Sequence, residues 1–299
     1  MSFLPIAILA YVCNGTATII DKILLQKTIP SPFAYVFYIS VFGMLVIVLL
    51  PFGIHFTPQL ILFGGLAGIL HNLALLAYFQ SLKKGEASVV GPVVGGLNPL
   101  FSLLIGSIFL GLVLNPTQLM AFFFLMLGAV ILTYRLWSSK LEVNHQLLFM
   151  VLSGFLFAMT YLLLKQAFEY SNFIGGLFVS RIAAGAFIPL FLLYPSTRRQ
   201  IFSNRLQTHG ALNKDALLLV IGQIFGAFSG LLITLGVSLT TPALVNALFG
   251  VQYLVILGAA MVLGKNHPKL LDENLTKSSL VQKIIGAGVL SWGVYLLSK

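Results

Sequence analysis

Several ionisable side chains, with a set of amides and hydroxyls, sit inside long apolar runs, where a polar group is costly unless it is paired or wetted. Arg181 lies about eight residues into the run that begins at Phe173, roughly 12 Å along a helix rising 1.5 Å per residue. A guanidinium at that depth suits a bidentate contact with a carboxylate or phosphate on a bound solute. The competing reading is an arginine that snorkels or pairs internally, with Glu169 as its partner. Asp21 and Lys22 come late in the first run. Neighbours point about 100° apart on a helix, so they are not a ready-made pair. Asp21 is a candidate carboxylate for a coupling ion or proton, against a reading as an interfacial residue. Lys22 reads as a snorkelling anchor.

His71, Asn72, Tyr78 and Gln80 share the third run. Seven-residue spacing puts His71 and Tyr78 on one helix face. With Asn98 from the fourth run they form a candidate cavity wall, where a histidine can titrate near neutral pH. Interhelical hydrogen bonding, at about a kilocalorie per mole or less per bond, is the alternative. The second half offers Thr160, Tyr161, Gln223, Ser229, Thr234, Asn246, Gln252 and Tyr253. Thr160 and Ser229 can bond their own backbone carbonyls. Asn246 and Gln252 lack that local escape and are the stronger cavity candidates; helical spacing puts Asn246 and Tyr253 on one face. The sequence holds no metal-ligating cluster and no Walker loop, so neither a cofactor nor direct ATP drive is expected.

The elements that must hold these residues follow from composition. Of 299 residues, 59% are hydrophobic and only 8% charged, and the mean hydropathy is +1.01. Soluble domains carry about a quarter charged residues, so the solvent here is lipid. The formal charge of +10 lies in short segments between apolar runs, the pattern of topogenic charge at a membrane surface. Nucleic acid is therefore excluded as a partner. Cys13 is alone, which excludes an internal disulfide, and reads as a small buried hydrophobe. Met1 to Tyr11 has no basic n-region, so a retained first helix is expected.

A bilayer core about 30 Å thick needs roughly 20 helical residues. Ten apolar runs of that order are expected to span it: Phe3–Leu25, Phe33–Leu50, Gln59–Leu82, Ser88–Phe109, Pro116–Tyr134, Gln146–Phe168, Phe173–Tyr194, Asp215–Leu239, Pro242–Leu263 and Val281–Leu297. The basic stretch Pro195–Lys214 is expected to be a surface loop. The fourth run, GPVVGGLNPLFSLLIGSIFLG (Gly91–Gly111), carries residues that weaken or interrupt a helix, and is expected to face protein or water rather than lipid. Gly222, Gly226 and Gly230 form a stripe for close helix packing on the eighth run.

The fourth run ends in FLG (Phe109–Gly111) and the ninth in VLG (Val262–Gly264), and Gly96, Leu100 and Leu103 align without gaps on Gly250, Leu254 and Leu257. Two five-helix halves, 1–140 and 141–299, are therefore expected. Since five is odd, they are inverted, around a central cavity. Lysines and arginines cluster after odd-numbered runs, which by the positive-inside rule places both termini outside.

The segment FQSLKKGEASVVGPVVGGLNPLFSLLIGSIFLG (Phe79–Gly111) resembles the third-to-fourth-helix signature of EamA-type transporters in the drug/metabolite transporter superfamily. LGVSLTTPALVNALFGVQYLVILGAAMVLG (Leu235–Gly264) is a looser second copy. The family's glutamate after Leu-Gly is replaced by Leu112 and Lys265. The resemblance implies cytoplasmic termini, opposite to the charge count. It also implies a multi-pass protein, expected in a bacterial inner membrane. The expected function is secondary transport of a small polar metabolite or drug-like solute by alternating access, with a proton or counter-solute as a further partner and a monomer or homodimer as the assembly. Lipid handling of the flippase kind is the alternative. An intramembrane serine hydrolase built on GAFSG (Gly226–Gly230) and His71 is a distant third.

Overall fold

The computed structural model describes residues 3–27, 29, 31–85, 87–111, 115–138, 145–203, 214–264 and 276–297. Among these there is no strand. The helices are α1 (Phe3–Lys27), α2 (Pro32–Gly43) running into a 3-10 segment (Met44–Leu49), α3 (Pro58–Lys84), α4 (Ala87–Leu110), α5 (Pro116–Ser138) and α6 (His145–Glu169). They continue with α7 (Phe173–Phe187), α8 (Pro189–Leu192), α9 (Pro195–Ser203), α10 (Lys214–Leu239), α11 (Pro242–Ala247), α12 (Gly250–Gly264) and α13 (Lys277–Leu297). Among the described residues seven stretches are long and apolar enough to cross a membrane, while α4 and α5 contain shorter apolar cores, Val93–Ile108 and Pro116–Gly128. The chain is an integral, multi-pass membrane protein.

Local chemistry sets where helices begin. Ser31 accepts a hydrogen bond from the Ala34 amide, Thr57 from Leu60 and Asn172 from Gly175, each satisfying an orphan donor of the first turn. Pro32 and Pro58 follow two of these caps, where a missing N–H costs nothing. The most extensive contacts join α3 to α6, α1 to α10 and α5 to α13.

Three expectations change. The proline-rich fourth run is not interrupted: α4 is continuous from Ala87 to Leu110. Its glycines admit neighbours instead. A Cβ on Gly95 would lie 1.9 Å from Phe249 Cδ1, so the Phe249 ring fills that notch. The interruption falls on the looser second copy, between α11 and α12, where Leu248, Phe249, Val251 and Gln252 donate to carbonyls three residues back. That 3-10 tightening changes the helical phase. Asn246 and Tyr253 therefore do not share a face: Asn246 meets α4 and α1, whereas Tyr253 packs with Phe122 and Leu125 of α5. The expected loop after Tyr194 begins as a helix, α9, which packs on α2. Residues 204–213, which include Arg205, lie outside the described residues, as do Leu112 and Lys265.

Lys22 is not a snorkelling anchor. It is 1% exposed, and its Nζ donates to the carbonyls of Leu82 (2.9 Å) and Gly85 (2.6 Å) at the C-terminus of α3. Orphan carbonyls and the negative end of the helix dipole explain that placement. Lys165 of α6 does the same at the end of α10, donating to Ser238 O at 3.2 Å.

Candidate functional site

Helices α3, α6, α7 and α10 enclose a cavity of about 310 Å³, open space at its mouth included. Its wall is Ala67, Gly68, His71, Thr160, Tyr161, Leu164, Ser180, Arg181 and Thr234.

Glycines shape this space. A Cβ on Gly68 would lie 2.0 Å from Ser180 O, so α3 and α7 touch backbone to backbone here. A Cβ on Gly230 would come within 3.1 Å of Arg181 Nη2, and one on Gly43 within 3.8 Å of Arg181 Cδ. The stripe on α10 therefore divides its work. Gly222 and Gly226 face Ile20 and Ala17 of α1, while Gly230 leaves room for the guanidinium.

The hydroxyls of Thr160, Ser180 and Thr234 donate to Leu156 O, Leu177 O and Gly230 O on their own helices. Their oxygens keep lone pairs for other donors. Arg181 is different. Among the described residues it makes no hydrogen bond and no ion pair, and Glu169 sits exposed at the far end of α6. His71 packs edge-on against Phe157, and Phe157 stacks on Tyr161. Neither the His71 ring nitrogens nor the Tyr161 hydroxyl is hydrogen-bonded among the described residues. No Asp or Glu lines the cavity.

The other candidates lie elsewhere. Asn246, 0% exposed, donates from Nδ2 to Asn98 Oδ1 and Ser102 Oγ, both at 3.0 Å. Ser102 Oγ also donates to Asn98, and the Tyr11 hydroxyl to Asn246 Oδ1 at 3.4 Å. Gln252 donates to Thr18 Oγ1 (2.8 Å), and its Oε1 accepts from Asn14 (2.6 Å). Asn72 accepts from Ser40 and donates to Ala184 O, tying α2, α3 and α7 together. The Tyr35 hydroxyl donates to Asp21 Oδ1, and Gln223 adjoins it on α10. Tyr78 does share the His71 face, since both meet Phe157. Thr18 and Gln252 are its polar neighbours, yet its buried hydroxyl has no hydrogen bond among the described residues. Of the residues expected to bind a solute, the cavity thus gathers His71, Tyr161 and Arg181. Ser180, next to Arg181 in sequence, was not singled out by its own chemistry.

Comparison with known proteins settles the class of the first half. The model of the EamA-like transporter family matches residues 1–134. These residues belong to that family, within the drug/metabolite transporter superfamily. None of the curated proteins matches the chain. A solved structure described only as a crystal structure of a protein shares the fold, with a TM-score of 0.62 at 14% identity over 99% of this chain and 98% of that one. EamA members are membrane transporters, which accords with a non-enzymatic role.

Proposed function

We propose that the chain is a secondary transporter for a small polar solute, built from two inverted five-helix halves that work by alternating access. The observation that carries the reading is the cavity itself, which draws its wall from α3 of the first half and α6, α7 and α10 of the second and contains an uncommitted cation. The EamA match supports transport as the activity. A bacterial inner membrane is the proposed setting.

Internal correspondences support the inverted pair. In each half a late lysine of the first helix caps the end of the third: Lys22 on α3, Lys165 on α10. In each half a glycine of the first helix admits the fourth helix of the other half. A Cβ on Gly15 would lie 2.8 Å from Val255 Cβ, and one on Gly154 2.9 Å from Leu97 Cβ. Under this correspondence the α3–α7 seam has the α2–α10 seam as its counterpart. The first is tight at Gly64 and Gly68, while the second barely touches. One closed seam opposite one loosened seam is what a resting state of alternating access needs.

The test is flux across vesicles containing the purified chain. Uptake that saturates with solute and vanishes in Arg181→Gln is expected. Phospholipid scrambling with no flux of any solute in a broad metabolite panel would overturn the reading.

A further inference from the structure

Resting on that reading, we infer that the solute is a compact oxyanion, carrying a carboxylate or phosphate, which docks on Arg181 with the His71 ring and the Tyr161 hydroxyl as flanking donors. The chemistry of the wall leads there. Every polar group facing the cavity falls into one of two sets. Arg181, His71 and Tyr161 keep N–H or O–H groups that no described residue accepts. Thr160, Ser180 and Thr234 have spent their protons on backbone carbonyls and present only oxygen lone pairs.

A cationic solute meets the wrong sign, since the wall has a guanidinium and no carboxylate. A neutral sugar would leave the guanidinium uncompensated in a medium where an unpaired charge is expensive. An oxyanion supplies the missing partner, and its planar or tetrahedral oxygens match the fork of an arginine. The three acceptor oxygens add a second requirement. The rest of the solute should carry hydroxyl or ammonium donors, so a hydroxy acid, amino acid or sugar phosphate suits the wall better than a bare aliphatic acid. Gly230 belongs to the same device, because any side chain there would crowd Nη2.

An arginine that served only packing would be stabilising. An arginine kept for a ligand costs stability when the ligand is absent. The experiment uses that sign difference. Melting curves of the full chain in detergent are recorded with inorganic phosphate, lactate and serine, with tetramethylammonium chloride and glucose as chemical opposites, and with phosphatidylglycerol micelles to separate a lipid headgroup from a free anion. At least one of the first three should raise the wild-type melting temperature with dose. Arg181→Gln should lose about 10- to 100-fold in apparent affinity for it, the range for a charged hydrogen bond, while melting no lower than wild type without ligand. Arg181→Lys should retain part of the response. Several results would overturn the inference: a ligand-free Arg181→Gln that melts lower, an undiminished oxyanion response in that variant, or stabilisation by tetramethylammonium or the lipid alone. These readouts need no transport. Undiminished flux of a neutral or cationic solute in Arg181→Gln would refute the oxyanion and leave the transporter standing.

Discussion

Two of the polar islands in the helical bundle are built on opposite principles. At the Asn98–Asn246 junction the Asn246 amide is answered at both its oxygen and its nitrogen by side chains of α1 and α4, and Asn98 Oδ1 accepts from Asn246 and Ser102. At the Arg181 cavity the donors converge and nothing in the described protein answers them. A satisfied network fixes geometry and has nothing left with which to bind. An unsatisfied one waits for a partner. On the proposed reading, depth in the membrane does not by itself mark a binding residue; what marks it is whether its hydrogen-bonding capacity is already used.

This contrast can be broken by mutation, and the largest effect should come from Arg181. Arg181→Gln should lower solute flux by about 100-fold, the loss of one charge-assisted pair, without lowering expression or melting temperature. Next is the seam that closes the cavity. Gly68→Leu drives a side chain into Ser180 O and should cost about 3 kcal/mol, near the upper end for overpacking, read as loss of monodisperse protein on size-exclusion after mild heating. Asn246→Leu should cost less, about 1–2 kcal/mol in unfolding, because Asn98 and Ser102 can still bond each other. Its apparent solute affinity should match wild type; a tenfold loss there would move the junction into the site. Smallest are the two caps. Lys22→Met and Lys165→Met should each cost about 1 kcal/mol, and their effects should add, since they sit on separate helix pairs.

Much of the fold was legible in the sequence. Apolar runs separated by Pro, Gly and charged residues placed most of the long helices within a few residues of their observed ends, as at Pro58–Lys84 against Gln59–Leu82, but not α9, which falls in the expected loop. The interruption at Leu248–Phe249 was not legible, because hydropathy does not register a change from α to 3-10 winding. Gly95 misled for a related reason: a glycine that admits the Phe249 ring looks the same in sequence as one that loosens a helix. For the site, depth in an apolar run and residue type picked out His71, Tyr161 and Arg181, which line the cavity. The same criteria selected Asn98, Asn246 and Gln252, whose bonding partners on other helices lie 144 to 238 positions away and so were invisible to local reasoning. The Lys22 cap escaped because its acceptors are backbone carbonyls of another helix.

Thiol accessibility measures the difference between the two islands most directly. With Cys13→Ala as background, Arg181→Cys and Asn246→Cys are each treated in membranes with a charged, water-soluble methanethiosulfonate. The thiol at 181 should react readily, while the thiol at 246 should stay unmodified until the protein is denatured. Equal reactivity at the two positions, or a protected 181 beside a reactive 246, would contradict the account.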